Sequence, residues 1–175
     1  MSTRKHTTRS RILAITTATL FAIGGGMATT ATTGAQPAPA PQPAPSAPPS
    51  AAEAAHIAAH QAPAPSIGEW SAEHADTSNY DPTERLSAIL LSIDGATASS
   101  PQQVALFEHG NYIGTTQPEA YAFQHVERVA SSVIKIDYRY LLPGDANANP
   151  RGLATSHYIL GPDDVTRTGE LPPTE

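Results

Sequence analysis

LSAILLSIDGATASSPQQVALFEHGNYIGTTQPEAYAF, residues 86–123, decides the fold. Its first eight residues are almost continuously apolar, which suits a central strand covered on both faces rather than an edge strand. Asp94-Gly95 ends that strand in a turn, and the small residues up to Pro101 form a connection, because proline cannot donate to a ladder. Residues 103–109 and 112–116 then flank Gly110-Asn111, a two-residue hairpin loop of type I′ or II′. That loop places His109 opposite Tyr112, Glu108 opposite Ile113 and Phe107 opposite Gly114. Val104, Leu106 and Ile113 then share one face, and Phe107 and Tyr112 share the other, with Phe107 as an aromatic cover for the strand glycine.

Downstream, residues 118–130 carry both a helix pattern (Pro118, Ala122, Val126, Val129) and the β-branched content of a strand; the reading here is a turn followed by a strand. Residues 133–141 alternate strictly: Ile134, Ile136, Tyr138 and Tyr140 face one way, Lys135, Asp137 and Arg139 the other. This is a half-buried strand with a charged outer face. A loop rich in Pro, Gly, Asn and Asp leads to strands over 154–160 and 165–168, separated by Gly161-Pro162-Asp163-Asp164. The expectation is a mainly β domain built on a single antiparallel sheet, with one short helix at its N-terminal side.

That helix is expected over 51–61. Ser50 and Glu53 form a capping box, Pro63 stops the helix, and docking should rest on Ile57 and a few alanine methyls. Before it lies QPAPAPQPAPSAPP, residues 36–49, an extended polyproline-like spacer. Residues 1–35 read as a secretory signal peptide: Arg4, Lys5, Arg9 and Arg11 precede the apolar run of 12–26, and Thr33-Gly34-Ala35 offers a cleavage site. An uncleaved membrane anchor is the alternative. The arginines of TRSR are not adjacent, so the general secretory route is expected rather than the twin-arginine one. The organisation is therefore signal 1–35, spacer with helix 36–65, β-rich domain 66–172 and tail 173–175. Trp70, the only tryptophan, is expected as a core plug or lid at the domain's edge.

There is no cysteine, so the chain has neither disulfides nor a thiol for lipid attachment. Removing residues 1–35 deletes four basic side chains and no acid, taking the formal net charge from −6 to −10. Such a surface is repelled by nucleic-acid backbones and anionic lipid heads. No nucleic acid is expected as a partner, and the membrane only through an uncleaved N-terminal segment.

The order of several motifs resembles the LppP/LprE family of actinobacterial cell-envelope lipoproteins: Asn79-Tyr80-Asp81-Pro82, Gly95 to Pro101 (GATASSP), the hairpin of 103–115, and Pro118 to Phe123 (PEAYAF). The resemblance covers about 70–172. It implies a compact β-rich envelope module and supplies no catalytic residues. It also implies a lipobox cysteine, and often another shortly after the Asp-Pro step; Thr83 follows Pro82 here, and lipid anchoring by that route has no atom to use.

No GxSxG, HExxH, P-loop or dinucleotide motif is present, and nothing in the spacing of serines, histidines and acids selects a triad. Glu53, His56 and His60 share one helix face, a two-histidine spacing that could hold a metal or be a solvated polar face. Asp145, Asn147 and Asn149 begin like a calcium loop, but Pro150 and Ser156 stand where it needs Gly and Glu, so an Asx-rich turn is expected. His109, His125 and His157 belong at strand ends or on an outer face. Phe107, Tyr112, Tyr121 and Phe123 form either a second core layer, the preferred reading, or an apolar ligand surface, and of the hairpin's two faces only the Phe107/Tyr112 face could serve a ligand. Catalytic, metal and cofactor residues are therefore assigned as none. The function expected is that of a monomeric, exported, non-catalytic module binding an envelope protein or an apolar or wall ligand. The alternative is a metal-assisted or serine-type hydrolase of wall or lipid substrates.

Overall fold

The computed structural model describes residues 47–173. The expected signal peptide and most of the spacer lie outside them; the described residues fall within one compact unit, 44–175. One helix, α1 (Ala51–Gln61), precedes eight strands: β1 (Trp70–Asp76), β2 (Ser87–Ile93), β3 (Gln102–Glu108), β4 (Asn111–Thr115), β5 (Gln124–Ala130), β6 (Val133–Tyr140), β7 (Gly152–Leu160) and β8 (Val165–Gly169).

The strands form two antiparallel sheets, in the orders β1-β2-β3-β4 and β5-β6-β7-β8, which corrects the expectation of one sheet. Burial explains the split. Residues of β2 and β3 are apolar on both faces, and an 11-residue helix can cover only one of them. The other face packs against the second sheet, where Leu86, Ala88, Val104 and Leu106 meet Val126, Ile134, Ile136, Tyr138, Ala154, Tyr158 and Leu160. The chain changes sheet through the turn containing Pro118.

Ser50 caps α1 as expected: its N–H donates to Glu53 Oε2 at 2.8 Å and its Oγ accepts from Glu53 N at 3.3 Å. The Ser50 hydroxyl also donates to Glu53 Oε2 at 2.7 Å, and this bond first, then the one from Ser50 N, hold the Glu53 carboxyl below its usual range. The helix docks on the outer face of the first sheet through Ala54, Ala55 and Ala58, beside Ile89, Leu91, Ala105 and Phe107. Ile57, the expected anchor, is only half-buried. Alanines let the helix backbone approach closely, so a larger side chain has no room. Ala58→Leu should lose about 1–3 kcal/mol in urea unfolding; a gain in stability would show that the helix is loosely seated.

β1 has no counterpart in the sequence reading. Its covered positions hold Ala72 and Ala75 beside Trp70, and its register with β2 shifts between Ser71 and Asp76, so no clean alternation marks it. Trp70 seals this edge as expected, donating from Nε1 to Pro63 O at 2.7 Å.

The β3–β4 register also needs correction. Glu108 pairs with Asn111 and Phe107 with Tyr112, so the loop is His109-Gly110, one step earlier than Gly110-Asn111. Both loop residues have positive φ, 47° and 80°, as a type I′ turn requires. Two contacts favour this placement: His109 N donates to Glu84 O, and Gly110 lies against Pro48, Pro49 and Pro82, where a Cβ would come within 3.1–3.3 Å. A bulge at Ile113 then puts Leu106, not Phe107, opposite Gly114. Aromatic cover of a strand glycine occurs elsewhere, where the Tyr140 ring lies over Gly152.

Candidate functional site

Most side chains singled out in the sequence are in structural roles. Phe107 is fully buried, with Tyr80 and Tyr112 edge-on at centroid distances of 5.2 and 5.7 Å, beneath α1. The Phe107/Tyr112 face is therefore a core layer, the first of its two expected readings, and not a ligand surface. Tyr121 packs on the opposite core, edge-on to Tyr138 at 5.2 Å. Phe123, at φ 54°, borders a hollow of about 180 Å³ with His125, Asp137, Arg139 and Leu153. The four aromatics make no single surface.

The histidines do not converge either. His109 is in the hairpin loop, while His125 and His157 flank β6 opposite Asp137 and Lys135 on the outer face of the second sheet. Lys135 bridges Glu127 and Asp137 there, at 3.3 and 3.1 Å. Glu53 is occupied by its cap, and among the described residues no group of three His, Cys, Asp or Glu could hold a metal. Asp145 accepts from Leu142 N and Arg151 N, both at 2.9 Å, and pairs with the Arg151 guanidinium. These donors, the backbone ones first, hold its carboxyl below the usual range and leave it committed to organising an Asx-rich loop.

Ser71, His74 and Asp94 form the nearest approach to a triad. Ser71 Oγ and Asp94 Oδ1 both address His74 Nδ1, at 2.9 and 3.5 Å. A relay needs the serine and the acid on different ring nitrogens, so this arrangement cannot pass a proton from serine through histidine. It is also open to solvent, with side-chain exposures of 59% and 85% for His74 and Asp94.

The site that the fold does build is a cleft of about 510 Å³ at the edges of the two sheets. One wall comes from β3, β4 and the residues just after, the other from β7, β8 and the turn between them. Leu106, Ile113, Leu160 and Val165 supply apolar surface, and Glu108, Asp163, Asp164 and Arg167 supply charge. Ile113, the extra residue of the bulge, lines it and is 40% exposed.

Behind the cleft runs a chain of polar groups. Gln117 Nε2 donates to Tyr158 OH at 3.0 Å, and Tyr158 OH meets Tyr138 OH at 2.9 Å. The two tyrosines stand four positions apart in the β6–β7 register and lean together until their hydroxyls touch. Gln117 is held in place through its carbonyl, which accepts from Gln103 Nε2 and Thr115 Oγ1. Burial first, and then the Tyr158 hydroxyl, push the Tyr138 phenol well above its ordinary range, so it stays protonated. Thr116 Oγ1 stands near Tyr138 without hydrogen-bond geometry and has no other partner, although Thr116 is only 8% exposed. If Tyr138 donates to Tyr158, the Tyr158 hydrogen is spare; if Tyr158 donates to Tyr138, the spare hydrogen belongs to Tyr138.

Thr116, Gln117 and Tyr158 escaped the sequence reading. The available signal was alternation: Tyr158 and Tyr138 both fall on inward positions, and an inward tyrosine hydroxyl needs a partner.

Comparison of the chain with curated proteins and with solved structures finds no match. Residues 78–163, from just before Asn79 to the β7–β8 turn, match the family model described as LppP/LprE lipoprotein.

Proposed function

We propose that this protein is an exported, non-catalytic binding module of the cell envelope, and that its ligand site is the cleft between the two sheet edges. The match of residues 78–163 to a lipoprotein family model supports envelope association, and the signal-like pattern of residues 1–35 supports export. Among the described residues no helix is long and apolar enough to cross a membrane. The observation that carries the binding reading is the cleft itself: its volume lies within the roughly 300–1,000 Å³ usual for ligand sites, with apolar walls and a few hydrogen-bonding groups behind them. A pocket that size takes a small molecule or one side chain of a larger partner.

Nuclear magnetic resonance with small alcohols, amides and sugars tests this reading. The amides of Ile113, Thr116, Gln117, Tyr158 and Val165 should shift together, and Ile113→Arg with Val165→Arg should abolish the response. Shifts concentrated instead around His56, Ile57 and Tyr112, beside the open groove along α1, would place the site there and refute the cleft reading. For export, the species recovered from culture fluid should begin at Gln36; recovery only in membranes with residues 1–35 retained would refute it.

A further inference from the structure

We propose that the cleft takes a cationic amphiphile, an apolar chain or side chain ending in a primary ammonium; this rests on the cleft being the binding site. Three features point to that chemistry. The first is charge at the mouth, where Glu108, Asp163 and Asp164 face a single cation, Arg167. Among the described residues none of these three carboxylates has an ion-pair partner, while the Arg167 guanidinium already donates to Gly169 O at 3.0 Å. The formal net charge of −6 for the whole chain draws cations in and repels anions.

The second is the Thr116 hydroxyl, more than nine-tenths buried and without a hydrogen-bond partner beside the cleft. A buried hydroxyl left unpaired is costly, so a ligand group that reaches it gains more than one bound at the surface. An ammonium carries three donors and no acceptor. Thr116 Oγ1 and a carboxylate at the mouth offer it acceptors, and Tyr158 OH adds a lone pair in the arrangement in which it donates to Tyr138. A carboxylate head would find the same hydroxyls but would sit among like charges, and a neutral alcohol would satisfy Thr116 while leaving the acids at the mouth unpaired.

The third is the wall. Leu160 and Val165 on one side and Leu106 and Ile113 on the other give an apolar path from the mouth to the hydroxyls, matched to a few methylenes. A strongly hydrated, small cation has no use for such a path.

The experiment titrates the purified protein with hexylammonium, hexanol and hexanoate at low salt and at about 0.5 M salt, reading amide shifts and affinity together. Hexylammonium should bind at least about tenfold more tightly than hexanoate at low salt, with the margin narrowing at high salt. The shifts should fall on Ile113, Thr116 and Tyr158. Asp163→Asn with Asp164→Asn, both in an exposed turn, should remove the preference and leave hexanol binding unchanged, with the rest of the spectrum showing that the fold is intact. If hexanol shifts the cleft amides but the three heads bind equally, the cationic assignment fails while the cleft reading stands. If none of the three shifts the cleft amides, or hexylammonium shifts only surface acids elsewhere, both fail.

Discussion

Phe107→Ala should lower stability by about 3–5 kcal/mol, the cost of removing a fully buried aromatic side chain. Its ring is the central member of three, with Tyr80 on one side and Tyr112 on the other, both edge-on, and each such pair adds about 0.5–1.5 kcal/mol beyond the area buried. The total stability of an ordinary domain is about 5–15 kcal/mol, so this one change should leave the fold marginal. Phe107→Leu keeps most of the volume but loses both edge-on pairs, so it should cost about 1–3 kcal/mol. Urea unfolding followed by circular dichroism measures both. If Phe107→Ala left the midpoint unchanged and altered only ligand binding, the covering of this face by α1 would be wrong.

The same residue shows what the sequence could and could not reveal. Alternation along β3 put Phe107 and Tyr112 on one face and Val104 and Leu106 on the other, and this survived although the loop was placed one residue too late. Local rules favour Asn-Gly and Gly-Asn in such loops, whereas the actual choice of His109-Gly110 rests on distant partners, Glu84 and three prolines. Nothing within the hairpin encodes those contacts. What covers each face was equally beyond reach, because period-2 patterns give the side on which a residue lies but not the layer that meets it.

The capping box, the β5 reading over the helical one and the strict alternation of β6 were legible because each depends on neighbours within a few positions. β1 was not, since alanine at its covered positions gives little hydrophobic contrast. The candidate cleft was hidden for a further reason. It is made by Leu106, Ile113 and Thr116 from one sheet and Tyr158, Leu160 and Val165 from the other, two groups about 50 residues apart in the chain that share no motif.

Asn79→Ala should cost about 2–4 kcal/mol, although the residue is far smaller than Phe107. Its Nδ2 donates to Val126 O at 3.0 Å and its Oδ1 accepts from Arg128 N at 2.8 Å, both on β5, while its own carbonyl accepts from Ala88 N on β2. One side chain thus completes a strand edge of the second sheet while its backbone is tied to the first. Alanine leaves both β5 groups without a partner in a half-buried site, at about 1–3 kcal/mol each. Asn79→Asp separates the two bonds. The introduced carboxylate still accepts from Arg128 N but cannot donate to Val126 O, and it faces that carbonyl oxygen with a negative charge. Its protonated form restores the donor, so its folded-state pKa should stand above the unfolded value of about 3.9. A raised carboxyl pKa means that the penalty is largest at neutral pH and is relieved as pH falls through the folded value. Urea unfolding at pH 7 and pH 4.5, each referred to the parent protein so that the other carboxylates cancel, should show the Asn79→Asp deficit shrinking at the lower pH and the Asn79→Ala deficit constant. A pH-independent Asn79→Asp deficit would mean that the bond to Val126 contributes nothing, and a deficit equal to that of Asn79→Ala would mean the same of the bond from Arg128.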